Sequence, residues 1–196
     1  KASKLIIYVA VVLGIALSLF LFIFLPAFIV GLIKPLTASY VLRNLSEGAV
    51  RVIILLVYMK ACTMMSDIKR LFSYHGAEHK TIFCYEANLP LTVENARGMS
   101  RLHPRCGTSF LVFVMVISII LFSFISWENM WIRLGLRLLL LPVVAGISYE
   151  IIRWAGKSKS KIVCLISRPG MWLQNITTRE PDDSQLEVAI ESMKAV

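Results

Sequence analysis

Ser109-Phe-Leu-Val-Phe-Val-Met-Val-Ile-Ser-Ile-Ile-Leu-Phe-Ser-Phe-Ile-Ser-Trp127 contains no charged residue. A helix rises about 1.5 Å per residue, so roughly 20 apolar residues cross a hydrocarbon core of about 30 Å. The stretch is the clearest transmembrane helix of the sequence, and it sets the class as an all-α membrane protein. Gly107-Thr108-Ser109 stands where an N-cap belongs. Beyond the stretch, Trp127, Glu128, Asn129 and Trp131 make a short turn whose tryptophans suit a membrane interface. Trp131 to Trp154 then crosses back, with Arg133 and Arg137 near its start and Glu150 near its end.

The bulk composition agrees. Of 196 residues, 57% are hydrophobic, and the mean hydropathy is +0.72. That is too apolar for an ordinary soluble domain. The net charge is +9, which points to topology and anionic lipid headgroups. The basic residues are spread among polar segments without an aromatic-basic motif, so nucleic acid is disfavoured as a partner. Cys62, Cys84, Cys106 and Cys164 form no CxxC pair, which argues against a disulfide framework and for reduced thiols facing the cytoplasm.

Toward the N-terminus, Leu5 to Ile33 is a first apolar run, long enough to span. Pro26 is expected to kink it or end its regular part, with a turn at Gly31, Lys34 and Pro35. The run is too long for the core of a cleavable signal, and no Ala-x-Ala site follows it. The chain begins with Lys rather than Met, as a fragment or processed form does. Ser39 to Met65 is a second helical run, apolar enough to cross from Ala49 onward. Arg43, Glu47 and Arg51 recur at i, i+4 and i+8 and share a face. They form either an interfacial salt bridge or a buried polar network supporting a functional site.

The polar segment before Ser109 holds all three histidines, His75, His79 and His103, together with Cys106. Asn88-Leu-Pro90 and Gly98 divide it into a short helix near 72–87 and another near 92–101, the second capped by Thr92 with Asn95 three residues on. After Gly156 comes a basic tail with Lys157, Lys159 and Lys161. Pro181, Asp182, Asp183 and Ser184 open a last amphipathic helix bearing Leu186, Val188, Ala189, Ile190 and Met193. Asn175-Ile-Thr177 matches a glycosylation sequon that the cytosolic placement below makes accidental.

The chain thus divides into 1–66, two spans with an amphipathic connector; 67–107, the His/Cys segment; 108–156, two further spans; and 157–196, the basic tail. About four spans put both termini and the His/Cys segment on one side. Fifteen Lys and Arg fall on that side, against Lys34, Arg43, Arg51, Arg133 and Arg137 on the other; Lys60 lies at the boundary. The positive-inside rule makes that side the cytosol and the middle loop plus tail a cytosolic helical cap.

His75-Gly-Ala-Glu78-His79 fits H-x-x-E-H. At i and i+4 on a helix, both imidazoles share one face about 6 Å apart, a spacing that can clamp one metal ion. Glu78 can orient a water or take its proton as a general base. The pattern resembles that of inverted zinc peptidases. His103-Pro-Arg-Cys106 offers a second half-site, and nitrogen plus sulfur leans toward Zn²⁺ over iron or cobalt. The competing reading leaves the histidines bonded to headgroups or backbone and Cys106 as a small apolar residue at a helix start. Glu150 is a further ligand, a carboxylate holding an imidazole, or an ion-pair partner for Arg153 or Arg105. Tyr74, Lys80 and Arg105 flank the cluster as supporting residues. Arg97, Arg101 and Arg105 recur every four residues and read as contacts for lipid phosphate or an anionic substrate.

Several motifs together resemble the YqhQ-like family of bacterial multi-pass membrane proteins. They are Glu47-Gly48, Arg51, Asp67-Ile-Lys-Arg, Tyr74-His-Gly-Ala-Glu-His-Lys80, His103-Pro-Arg-Cys-Gly-Thr-Ser-Phe110, Ser148-Tyr-Glu150 and Thr177-Thr-Arg-Glu-Pro-Asp-Asp-Ser184. The resemblance covers nearly the whole chain. It implies a bacterial cytoplasmic membrane protein of a family labelled predicted metal-dependent enzymes, and it supplies no substrate. It also implies a soluble N-terminal region that this sequence does not contain; a site drawing on that region would be incomplete here.

Three functions follow as expectations. The first is a metal-dependent hydrolase at the membrane surface. The second is a non-catalytic scaffold or biogenesis factor with a structural metal, its basic tail docking another membrane protein or an anionic assembly; separately, four spans expose surface enough for a homo-oligomer. The third is a transporter or channel lined by Arg43, Glu47, Arg51 and Glu150. Coordination number separates the first two, because four protein ligands close a zinc site and three leave it open.

Overall fold

The computed structural model describes residues 2–33, 39–124, 129–157 and 160–195, and among them the chain is all helical. The expected turns at Lys34-Pro35 and Trp127-Glu128, and Lys159 of the tail, lie outside the described residues, as does the side chain of Arg133. The chain divides into two compact units: Lys1–Tyr58 with Met115–Val144, and Met59–Val114 with Ala145–Val196.

In the first unit, α1 (Ala2–Leu19) runs through a π-helical stretch, Phe20–Phe24, into α2 (Leu25–Gly31). The predicted disturbance at Pro26 is this widened turn. Pro26 has no amide hydrogen for the carbonyl four residues back, and Leu25 bonds Phe20 in the wide register instead. The carbonyl left over, that of Phe22, accepts from Arg51 Nε at 2.8 Å. Arg51 belongs to α3 (Tyr40–Cys62). Arg43 Nε lies 3.2 Å from Glu47 Oε1. From α7 (Met130–Lys157), Arg137 Nη2 donates at 2.8 Å to both Glu47 Oε2 and Asn44 Oδ1. Glu47 is only 1% exposed, so the charged face of α3 is a buried network. Its link to Arg137 was not foreseen. Gly48 leaves room for Ile119 of α6 (Gly107–Ser123), whose side chain would stand 2.5 Å from an added Cβ.

In the second unit, α4 (Ser66–Glu86) begins well before the expected residue 72. Asp67 in its first turn complements the helix dipole. It ends in a Schellman motif: Asn88 takes a left-handed φ of 54°, Leu89 N bonds Cys84 O and Asn88 N bonds Tyr85 O. In α5 (Val93–Arg97) the predicted cap holds, since Thr92 accepts from Asn95 N. Next, α8 (Lys161–Thr177) lies within the basic tail, where no helix before the last is predicted. It is capped by Ser160 and carries Pro169 inside it. Gly170 lies against Ser109, whose Cβ would be 2.7 Å from an added Cβ. Last, α9 (Asp183–Lys194) starts with a capping box made by Asp182 and Gln185. Leu186, Ala189 and Ile190 bury against Ala77 and Cys84 of α4 and Ala96 of α5. Val188, expected on that apolar face, is exposed instead.

Among the described residues, two helical stretches are long and apolar enough to cross a membrane, Lys4–Gly31 and Gly135–Gly156. The pair α3 and α4 adds a third if it is one bent span. The stretch Lys4–Gly31 is apolar all round and has 0% of its spanning window buried, which suits a lipid environment. Of the expected four spans, the described residues supply two or three. Of the expected span Ser109–Trp127, the described residues supply α6, 17 residues long or about 25 Å; residues 125–127 lie outside them.

Candidate metal centre

Three of the four predicted ligands converge. His75, His79 and Cys106 place one ligand atom each within 4.8 Å of one another. The i, i+4 spacing on α4 brings the two imidazoles to a centroid distance of 4.4 Å. Cys106 stands immediately before α6, its carbonyl accepting the first helical bond from Phe110. His75 Nε2 lies 3.2 Å from Cys106 Sγ.

Both imidazoles are held from behind by main-chain carbonyls. His75 Nδ1 is 2.9 Å from the Thr177 carbonyl, and His79 Nδ1 is 2.6 Å from that of Arg101. A carbonyl only accepts, so each Nδ1 carries a proton and each Nε2 faces the cluster, where it can offer a lone pair to a metal once any proton it shares with Cys106 has left. A second anchor of this kind fixes the tautomer and aim of metal-binding histidines. Gly76 lets the Thr177 segment come this close. Arg179 N bonds Phe72 O at 2.9 Å, and an added Cβ at residue 76 would collide with the Arg179 carbonyl.

Cys106 is 6% exposed. Burial pushes its thiol up, but hydrogen bonds from His75, His79 and Thr108 outweigh this and lower it to about 5. The bond to Cys106 raises His75 against the opposing effect of burial. A stable thiolate with two neutral-capable imidazoles is a set a metal ion can occupy. The residues present therefore fit the group that the sequence implies.

His103 is not one of the three converging groups, though its ring centroid lies 5.7 Å from that of His79. Gln174 clamps its peptide, taking its N–H at 2.7 Å and donating to its carbonyl at 2.7 Å. Its Nδ1 accepts from Arg105 N at 3.2 Å, so the proton sits on Nε2. That atom lies 3.5 Å from a Glu86 carboxylate oxygen, close enough for electrostatic attraction but without hydrogen-bond geometry. Burial and the nearby His79 lower its pKa, keeping it neutral.

Two carboxylates also move from their expected places. Glu78 is exposed and not among the converging groups. Glu150 is a surface partner of Arg153 at 3.4 Å, its side chain 65% exposed; of the roles open to it, the ion pair is the one realised.

The arginine stripe is used internally. Arg97 forks onto Asp183 through Nε at 3.2 Å and Nη2 at 2.6 Å. Arg101 donates to the carbonyl and hydroxyl of Thr178 at 2.9 and 2.7 Å. Arg105 pairs with Glu86. Buried Lys80 reaches the Arg97 carbonyl at 3.0 Å and Glu180 at 2.9 Å. Tyr74 is half-buried under Arg70, whose guanidinium lies 5.8 Å from the ring centroid.

Gln174, Thr177, Thr108 and Glu86 were not singled out as site residues. Thr177 opens one of the resemblance motifs, but a main-chain carbonyl leaves no mark in sequence. Gln174, 0% exposed, sits in a segment read as tail.

A curated relative, "Uncharacterized protein YqhQ" of Bacillus subtilis (strain 168), is 41% identical over 197 residues, covering 98% of this chain and 62% of the relative. The chain thus spans less than two thirds of that protein's length. No solved structure matches it. The model of one family matches residues 1–196, and the chain belongs to that family, described as protein of unknown function (DUF1385), which is the YqhQ-like family.

Proposed function

We propose that this is a membrane metalloprotein in which His75, His79 and Cys106 hold one zinc ion, with a coordination position left for water or substrate. The observation that carries the reading is the convergence of three ligand atoms within 4.8 Å, two of them on imidazoles whose Nδ1 is already engaged by a carbonyl. Three protein ligands, rather than four, is the pattern of a catalytic zinc. When bound, such an ion supplies a Lewis acid and an acidified water. The chain's own part is to aim the imidazoles, hold the thiolate and limit bulk water. The reaction class is metal-assisted hydrolysis at the membrane surface. The distribution of Lys and Arg supports a cytosolic site in a bacterial cytoplasmic membrane.

A second reading, a structural metal in a scaffold or biogenesis factor, is favoured by burial: Cys106 is 6% and His79 is 4% exposed. Elemental mass spectrometry of detergent-purified protein tests both. About one equivalent of zinc is expected, lost in His79→Ala and Cys106→Ala and kept in His103→Ala. Absence of metal after reconstitution would end both readings. A hydroxamate chelator that raises the melting temperature of the zinc form favours the open site; no effect favours the structural one.

A further inference from the structure

The polar cluster buried in the first unit carries more positive charge than its neighbours neutralise. Arg43 and Arg137 share the Glu47 carboxylate at 3.2 and 2.8 Å. Arg51 interacts electrostatically with both Glu47 and Arg137. In sequence, the two segments of this unit contain only Glu47 and Glu128 as carboxylates, and Glu128 lies outside the described residues. Among the described residues of this unit, a fully ionised Glu47 leaves the three guanidiniums with an excess of two positive charges.

Arginine does not relieve this by losing a proton. Uncompensated charge away from water is strongly unfavourable. Arg137 is 8% exposed, its Nε has no hydrogen-bond partner, and the Phe122 ring lies 5.5 Å from its guanidinium. The side chain of Arg43 is 30% exposed, so the cluster opens at that edge. Leu42, the residue before Arg43 on α3, is exposed.

We infer that Arg43, Arg51 and Arg137 form a binding site for a phosphate-bearing anion. Planar guanidinium forks match the oxygens of a phosphate, and several of them around one anion is the arrangement by which proteins hold it. Glu47 aligns Arg43 and Arg137 without cancelling the cluster. The phosphate has two sources, the headgroup of an anionic phospholipid or soluble phosphate. The cluster's place on apolar helices, with exposed Leu42 next to Arg43, favours the lipid, whose acyl chains would lie along them.

The test uses the full chain, purified and delipidated in a non-ionic detergent. Phosphatidylglycerol, phosphatidylcholine and inorganic phosphate are added separately, with binding read by native mass spectrometry and thermal shift. Phosphatidylglycerol is expected to bind and stabilise the protein. Binding should be about tenfold weaker in Arg51→Gln and Arg137→Gln and unchanged in Arg97→Gln, whose side chain pairs with Asp183 in the other unit. Phosphate matching the lipid in both readouts would support the site and assign it to a soluble anion. If Arg137→Gln does not fold, Arg51→Lys keeps the charge but loses the fork, and weaker binding with an unchanged fold is expected. Equal binding of phosphatidylcholine, equal binding by all variants, or no binding of either anion overturns the inference.

Discussion

His75 Nε2 and Cys106 Sγ lie 3.2 Å apart, and each favours the charged form of the other. Burial opposes the Cys106 thiolate, yet the hydrogen bonds from His75, His79 and Thr108 bring its pKa down to about 5. The bond to Cys106 is the largest influence raising His75, against burial. Without metal, Cys106 has a folded value below its unfolded one. Its contribution to stability is fully present above the unfolded value and is lost as pH falls through about 5.

Metal uptake should follow the same signs. An ion must displace a proton from His75 below that residue's raised pKa, and a second from Cys106 only below about 5. Zinc affinity should therefore fall as pH drops through the His75 value and fall more steeply below about 5. Competition with a chromophoric chelator across this range measures it. An affinity that stays flat from neutral pH down to the Cys106 value would remove the pair from the site.

Gly76→Ala should destabilise the second unit, although in an exposed helix interior the change stabilises by about 0.5–1 kcal/mol. The new Cβ meets the Arg179 carbonyl, which is backbone and cannot swing aside. Overpacking of this kind costs about 1–3 kcal/mol, so the net sign is negative. A lowered melting temperature with reduced zinc content is the expected result; a more stable variant with full zinc would contradict the close approach.

Gln174→Leu should cost about 2–5 kcal/mol, because it strands a buried amide and a buried carbonyl at about 1–3 kcal/mol each. Both belong to His103, and Ser109 Oγ also loses its 2.9 Å partner. Chemical denaturation followed by a probe in this unit reads the loss. A cost comparable to that of a surface substitution would argue against the clamp.

Arg51→Leu and Pro26→Ala should couple. With Pro26 present, Arg51 is the donor to the Phe22 carbonyl; with Ala there, a main-chain amide becomes available. The Arg51→Leu cost should shrink in the Pro26→Ala background by about 0.5–3 kcal/mol, the usual range for residues sharing a partner. Additive costs would mean that the two do not share that carbonyl.

The parts legible in sequence were those written in periodicity and caps. The apolar runs, the Asn88 break, the Thr92 cap and the start of α9 at Asp182 all rest on local residue chemistry. So did the pairing of His75 with His79. What escaped was set by tertiary packing. The stretch after Lys161 carried no element in sequence, yet α8 runs through it and through Pro169, with Gly170 packed against Ser109. The arginines at 97, 101 and 105 read as a free stripe, because their partners Asp183, Thr178 and Glu86 are recognisable only once the tail folds back. His103 has ligand chemistry, but Gln174 and Arg105 commit it elsewhere.

The carbonyl that fixes His75 is supplied by Thr177, 102 positions further along the chain. At ordinary rates of synthesis, of about 5–20 residues per second, that group leaves the ribosome roughly 5 to 20 s after the imidazole it holds. All of α6, α7 and α8 must be made in between. A nascent chain thus carries both histidines and the cysteine long before it has a finished cage, and metal acquisition becomes a late event in its biogenesis. Truncation between Cys106 and Thr177 would leave the same three side chains present but His75 without its anchor.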